Sequence, residues 1–107
     1  MGQIRSFRKD IAVAGTRERI IEASTPALWA KIDEKPNNSG TNAALKEVVI
    51  GSSDVVQAPA SRVGILIDPV SGFEKHGAFL PTPVDLMDVW ADVGTNNNGI
   101  ICTYMEP

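Results

Sequence analysis

Apolar residues occur along this chain in short runs, broken at intervals of roughly ten residues by clusters of Gly, Pro, Asn, Ser and Asp, a spacing that predicts short strands rather than helices. Residues 4–13 (IRSFRKDIAV) form the first predicted strand, with Phe7, Ile11 and Val13 on one face and Arg8, Asp10 and Ala12 on the other. A turn at Ala14-Gly15-Thr16 precedes a brief strand over 19–23, for which a short helix over 16–23 is the competing reading. Leu28 to Asp33 is the third strand, with Leu28, Ala30 and Ile32 opposite Trp29, Lys31 and Asp33. The polar stretch 34–44 reads as a mobile surface loop of the kind that usually carries binding. Leu45–Ile50 and Val63–Ile67 are further strands, and the latter is apolar on both faces, which suits a central position. Pro81-Thr82-Pro83 stiffens the approach to Asp85, which is placed to cap a single turn over 86–88. Val89–Val93 and Ile100–Tyr104 then read as a terminal hairpin around Gly94-Thr95-Asn96-Asn97-Asn98-Gly99.

These elements predict an all-β fold, a small antiparallel β-sandwich or partly open β-barrel of six to eight short strands. Residues 1–13 read as an N-terminal strand or arm available to a neighbour, and 14–107 as a single β domain. A length of 107 residues suits one modest core.

Charge narrows the function. Ten basic against thirteen acidic residues give a net charge of −3, which argues against a nucleic-acid partner. Arg5, Arg8 and Lys9 form the basic cluster of the N-terminal strand. The opening MGQIRSFRKD lacks the apolar stretch of a signal peptide, and no run approaches the ~20 apolar residues of a membrane span. An origin inside a cell, or in a virus assembled there, is expected.

Chemistry is sparse. One histidine, His76, and one cysteine, Cys102, do not make a conventional zinc site. Cys102 lies in an apolar run and reads as a small buried hydrophobe. Asp85, Asp88 and Asp92 would share a helix face, but the surrounding prolines and β-rich run make them caps and strand-edge charges instead. No nucleophile elbow or phosphate-binding loop is present. Neither an enzyme, a cofactor nor a bound metal is expected. The Asn96–Asn98 triplet reads as a solvent-exposed hairpin tip, or else as an interaction loop. Trp29, Phe73 and Trp90 are the aromatic candidates for partner binding, alongside Arg5, Phe7, Arg8 and Lys9.

The order of features, an IRSFR opening strand, Ala14-Gly15-Thr16, Ser24-Thr25-Pro26, LWAKID, and then Leu80–Leu86, Val89-Trp90-Ala91-Asp92, Gly99 and Tyr104, resembles small structural proteins of tailed bacteriophages. The resemblance covers about half of the chain and implies a non-enzymatic virion part. The expectation is a capsid decoration or stabilising protein that binds the assembled shell, with the major capsid protein or another virion protein as partner. It also implies a homo-oligomer, a trimer being one arrangement, located in the virion after assembly in the host cytoplasm. A neck or tail component, and a carbohydrate- or host-surface-binding β-sandwich, are the alternatives. A small barrel enzyme or lyase built on His76 is the remaining class, and it would need two carboxylates beside that histidine.

Overall fold

Residue parity explains most of the architecture. In the computed structural model, which describes residues 2–36, 38–71, 74–76, 78–80 and 83–107, eleven strands share their pairings among three sheets. Every pairing is antiparallel. The first sheet has the order β1 (Ile4–Asp10), β11 (Gly99–Met105), β4 (Trp29–Glu34), β8 (Ala78–Leu80). The second has the order β2 (Glu18–Arg19), β10 (Trp90–Val93), β5 (Val48–Gly51), β6 (Ile65–Ser71), β7 (Glu74–His76). A two-residue pair, β3 (Pro26–Ala27) with β9 (Val84–Asp85), joins the turns around them.

In the first sheet, alternation sends Ala30 and Ile32 of β4 inward with Ile100, Cys102 and Tyr104 of β11. In the second, Val48 and Ile50 of β5 and Ala91 and Val93 of β10 are buried beside each other in register. All of these, with Ile11, Ile20, Ile67 and Leu86, belong to one apolar core cluster. The radius of gyration, 13.1 Å, matches the ~13 Å of a compact chain of this length.

The terminal hairpin is the main departure from the sequence reading. β10 and β11 do not pair with each other: they lie in different sheets, and residues 94–98 cross between them. The physical reason is competition for edges. β10 has both sides occupied by β2 and β5, and β11 has both sides occupied by β1 and β4. The helix alternative for 16–23 is replaced by the two residues of β2, and the predicted strand at Leu45 begins instead with a four-residue helix, α1 (Ala43–Lys46). β6 lies inside its sheet, between β5 and β7, as its apolar character suggested, yet Ile65 is 53% exposed.

The segment from Ser52 to Gly64 folds back over the outer side of the second sheet, held by the Val56–Val63 bridge and a turn at η1 (Pro59–Ser61). Gly64 makes this possible. Its φ is +124°, and a Cβ there would meet the Ile50 carbonyl oxygen at 2.6 Å, so only glycine fits.

Asp85 performs the predicted capping. Its carboxylate accepts hydrogen bonds from the Ser24 hydroxyl, the Thr25 N–H at 2.8 Å and the Met87 N–H at 3.0 Å, and η2 (Leu86–Asp88) follows. These bonds, the Ser24 hydroxyl foremost, hold the Asp85 carboxyl below its ordinary pKa. The folded chain therefore binds this proton more weakly than the unfolded chain. The contribution is fully present above the ordinary carboxylate range and disappears as pH falls through the depressed folded value. Asp85→Asn should remove this part of the acid sensitivity, so the stability difference between wild type and variant should shrink as urea unfolding is repeated at successively lower pH.

Candidate functional site

Two buried polar side chains organise the loops at one end of the molecule. Asp92, in an otherwise apolar strand, is 3% exposed. Its Oδ2 accepts from the Gln57 N–H at 2.8 Å, and its Oδ1 accepts from Gly15 N–H at 3.1 Å and Val93 N–H at 2.9 Å. Both oxygens are thereby committed to backbone donors, from the turn after β1 and from the segment covering the second sheet. This departs from the strand-edge charge read from the sequence. A carboxylate is needed because the turn after β1, the covering segment and β10 bring the N–H groups of Gly15, Gln57 and Val93 to one point, and each costs free energy if buried alone. Gly15, with φ +81°, presents its N–H there by adopting a backbone that other residues avoid.

Asn98 is the second hub and is 2% exposed. Its Oδ1 accepts from Ser39 N–H at 2.8 Å, and its Nδ2 donates to the Ser39 carbonyl at 2.8 Å and the Leu45 carbonyl at 3.2 Å. The neighbouring asparagines are tied as well: Asn96 Oδ1 accepts from Ala14 N–H, and Asn97, at φ 69°, donates its N–H to the Ile11 carbonyl. Asn96 and Asn97 are exposed, as the sequence reading has them, but Asn98 is buried and the triplet does not close a hairpin. It joins the crossing segment 94–98 to the turn after β1 and to the 38–45 segment. That segment, read as mobile from its polarity, is fastened by the same bonds and by Asn38, which bonds both the N–H and the carbonyl of Gly99. Asn37 lies outside the described residues.

The partner-binding candidates do not form one patch. Arg5, Phe7 and Lys9 share the inner parity of β1, while Arg8 lies on the opposite face. Arg5 pairs with Glu106 at 2.8 Å and Lys9 with Glu18 at 3.1 Å. Phe7 is half-buried, edge-on to Tyr104 with ring centroids 6.0 Å apart. Arg8 is exposed and has no acidic partner among the described side chains. Trp29 is half-buried on the outer face of the first sheet, as its parity predicts. Trp90 is half-buried in the second sheet, with the Arg19 guanidinium 4.9 Å from its ring centroid. Phe73 lies outside the described residues.

The β1 edge is the most open feature of these surfaces. One side of β1 pairs with β11 at seven positions, from Ile4–Met105 to Asp10–Gly99. The Glu106 N–H to Gln3 carbonyl and Ile11 N–H to Asn98 carbonyl bonds fix the phase, so that Arg5, Phe7 and Lys9 direct their backbone groups to β11. Ile4, Ser6, Arg8 and Asp10 then point theirs away, and among the described residues no strand takes them. On the outer face, Ile4 (62% exposed), Met105 and Trp29 stand side by side in register.

Reactive groups are few. Cys102 is buried, and desolvation, followed by the charge of Asp33, pushes its thiol up to about 12. It should resist a thiol-directed reagent such as iodoacetamide at pH 8 in the native protein and react fully once unfolded in guanidinium, as intact-mass measurement would show. His76 ends strand β7 rather than lying in a loop. Asp85 caps, Asp88 is exposed and Asp92 is buried, so the three aspartates do not converge, and no group of three or more metal-ligating side chains occurs among the described residues. None of the described helices is long and apolar enough to cross a membrane. No known protein family, curated protein or solved structure matches this chain.

Proposed function

We propose that this chain is a non-enzymatic structural protein of a virion, most simply a capsid decoration or stabilising protein that docks on an assembled shell. What carries the reading is the contrast between loops fastened by buried Asp92 and Asn98 and the seven-residue β1 edge, whose outward backbone groups no strand takes among the described residues. An enzyme of this size more often keeps a concave site with unspent polar groups. Here the buried Asp92 carboxylate is consumed by backbone donors, and the buried Glu34 carboxylate accepts from the Asn38 amide. A bare edge is a template for strand addition, and assembly with other chains is a common way of covering one. The two main sheets around one core suit a small sandwich, and the partner in this reading is the major capsid protein or a further copy of the chain. Repetition over a shell lets modest contacts per copy suffice. The phage-protein resemblance of the opening strand and the closing quarter points the same way.

The test is co-sedimentation of the purified protein with emptied phage heads. Ser6→Pro removes an outward N–H without touching a β1–β11 backbone hydrogen bond, giving up only the exposed hydroxyl contact to Thr103 at 3.1 Å, and proline is tolerated on such an edge. Shell binding by the wild type that is lost in Ser6→Pro, with an unchanged circular dichroism spectrum, is the expected result. A stable ring in light scattering that ignores shells would favour a neck or tail part instead.

A further inference from the structure

We propose that a shallow depression beside Trp90 is a docking point for an acidic segment of a partner protein, with Arg17 as its ion-pairing group. The depression is open, about 430 Å³, and lined by Gly15, Thr16, Arg17, Ser53 and Trp90. The position follows from the fold: the turn after β1 is held by Asp92, and the Ser52–Gly64 segment folds over the same sheet.

Its chemistry favours a carboxylate. Arg17 is exposed and has no acidic partner among the described side chains. Arg19 lies beside it in the strand that pairs with Trp90, and its Nε is buried without a hydrogen-bond partner. Of the neighbouring acids, Glu18 is paired with Lys9 and Asp92 is buried, while Asp54 keeps its charge and accepts from the Ser52 hydroxyl at 2.7 Å, which leaves Arg17 as the cation free to meet an incoming carboxylate. Arg17 at the depression and Arg19 over the adjoining Trp90 ring thus place two guanidinium groups around Trp90 on a chain whose net charge is −3, with Arg17 the one that lines the depression. Thr16 and Ser53 add hydroxyl donors at the rim. A sugar is the poorer fit, because a pyranose would stack on an open indole face, and Arg19 covers Trp90. This surface is separate from the β1 edge, so the inference does not depend on the partner being a virion shell.

The experiment is an NMR titration of the ¹⁵N-labelled full chain with the peptide Ac-Asp-Glu-Asp-Glu-NH₂, with Ac-Asn-Gln-Asn-Gln-NH₂ as the neutral control. Saturable shifts at the Gly15, Thr16 and Ser53 amides and the Trp90 indole N–H, produced by the acidic peptide alone and weakened by salt, are expected. Arg17→Glu should abolish them while leaving the β1 and β11 resonances in place. Equal shifts with the neutral peptide, shifts centred on Arg8 or the lysines, or shifts that survive Arg17→Glu would overturn the proposal. So would N-acetylneuraminic acid moving the same resonances more than the peptide does. Because no shell is present in the titration, a negative result leaves the assembly reading standing, and failure of shell co-sedimentation leaves this site standing.

Discussion

Asp92→Ala should destabilise the fold by about 2–4 kcal/mol, the largest effect of any single substitution on a polar residue here. The carboxylate accepts from Gly15, Gln57 and Val93 at once, and the Gln57 bond is fully buried. Alanine offers no acceptor, and its small side chain does not admit enough water to replace three directed bonds without loosening the covering segment. Each orphaned buried donor costs about 1–3 kcal/mol, with partial relief where Gly15 also reaches the Val93 carbonyl at 3.3 Å. A drop of roughly 10–20 °C in Tm is the expected reading by calorimetry. Asp92→Asn should fall between the two proteins, since an amide keeps one acceptor and turns a donor toward a backbone N–H. A Tm for Asp92→Ala within about 2 °C of wild type would show that water satisfies these donors after all.

Asn98→Ala should cost a similar amount, about 2–3 kcal/mol, but with a different local signature. The amide donates to two carbonyls and accepts from Ser39, so its loss frees the 38–45 segment from the crossing turn. Hydrogen exchange should accelerate at the Ser39 amide well before it does in β11. Asn98→Asp gives a sharper test through its pH dependence. The introduced carboxyl keeps the acceptor facing Ser39 but turns its other oxygen toward the Ser39 and Leu45 carbonyls. The ionised form is repelled there and the protonated form donates, so its folded pKa lies above the ordinary value of about 3.9. A raised folded pKa means stability that is present in acid and lost as pH rises through that value. The deficit of Asn98→Asp relative to wild type should therefore be smaller at pH 3 than at pH 7. An equal deficit at both would mean the side chain had rotated to solvent.

The all-β class was legible because turn residues punctuate the chain so often that no long helix fits between them. The inward parity of Ala30 and Ile32, the outward Trp29, the Asp85 cap and the buried Cys102 were legible for a local reason: each depends on its own strand or turn. The hairpin was not, because strand pairing is settled by competition among edges far apart in sequence. Glu18 and Arg19 hardly look like a strand, yet they take one side of β10. The hubs were hidden differently. An aspartate inside Val89–Val93 was a signal, since an apolar strand seldom carries a charge without partners for it. Asn98 carried no such signal. Three consecutive asparagines beside glycine describe a solvent-exposed turn equally well, and only the arrival of Ser39 and Leu45 makes one of them a core residue.

The pairing of the first strand with the last has a mechanical consequence. Ile4 lies opposite Met105 at one end of the β1–β11 ladder, and Asp10 lies opposite Gly99 at the other. Tension applied between Ile4 and Met105 therefore acts across the ladder, not along it. It loads one hydrogen-bonded pair at a time, and the strands peel apart from that end at low force. Tension along the strands would have to break the whole ladder together. If neighbours pull on this protein, it will hold best when gripped along the strand direction and worst when pulled by that pair of strand ends.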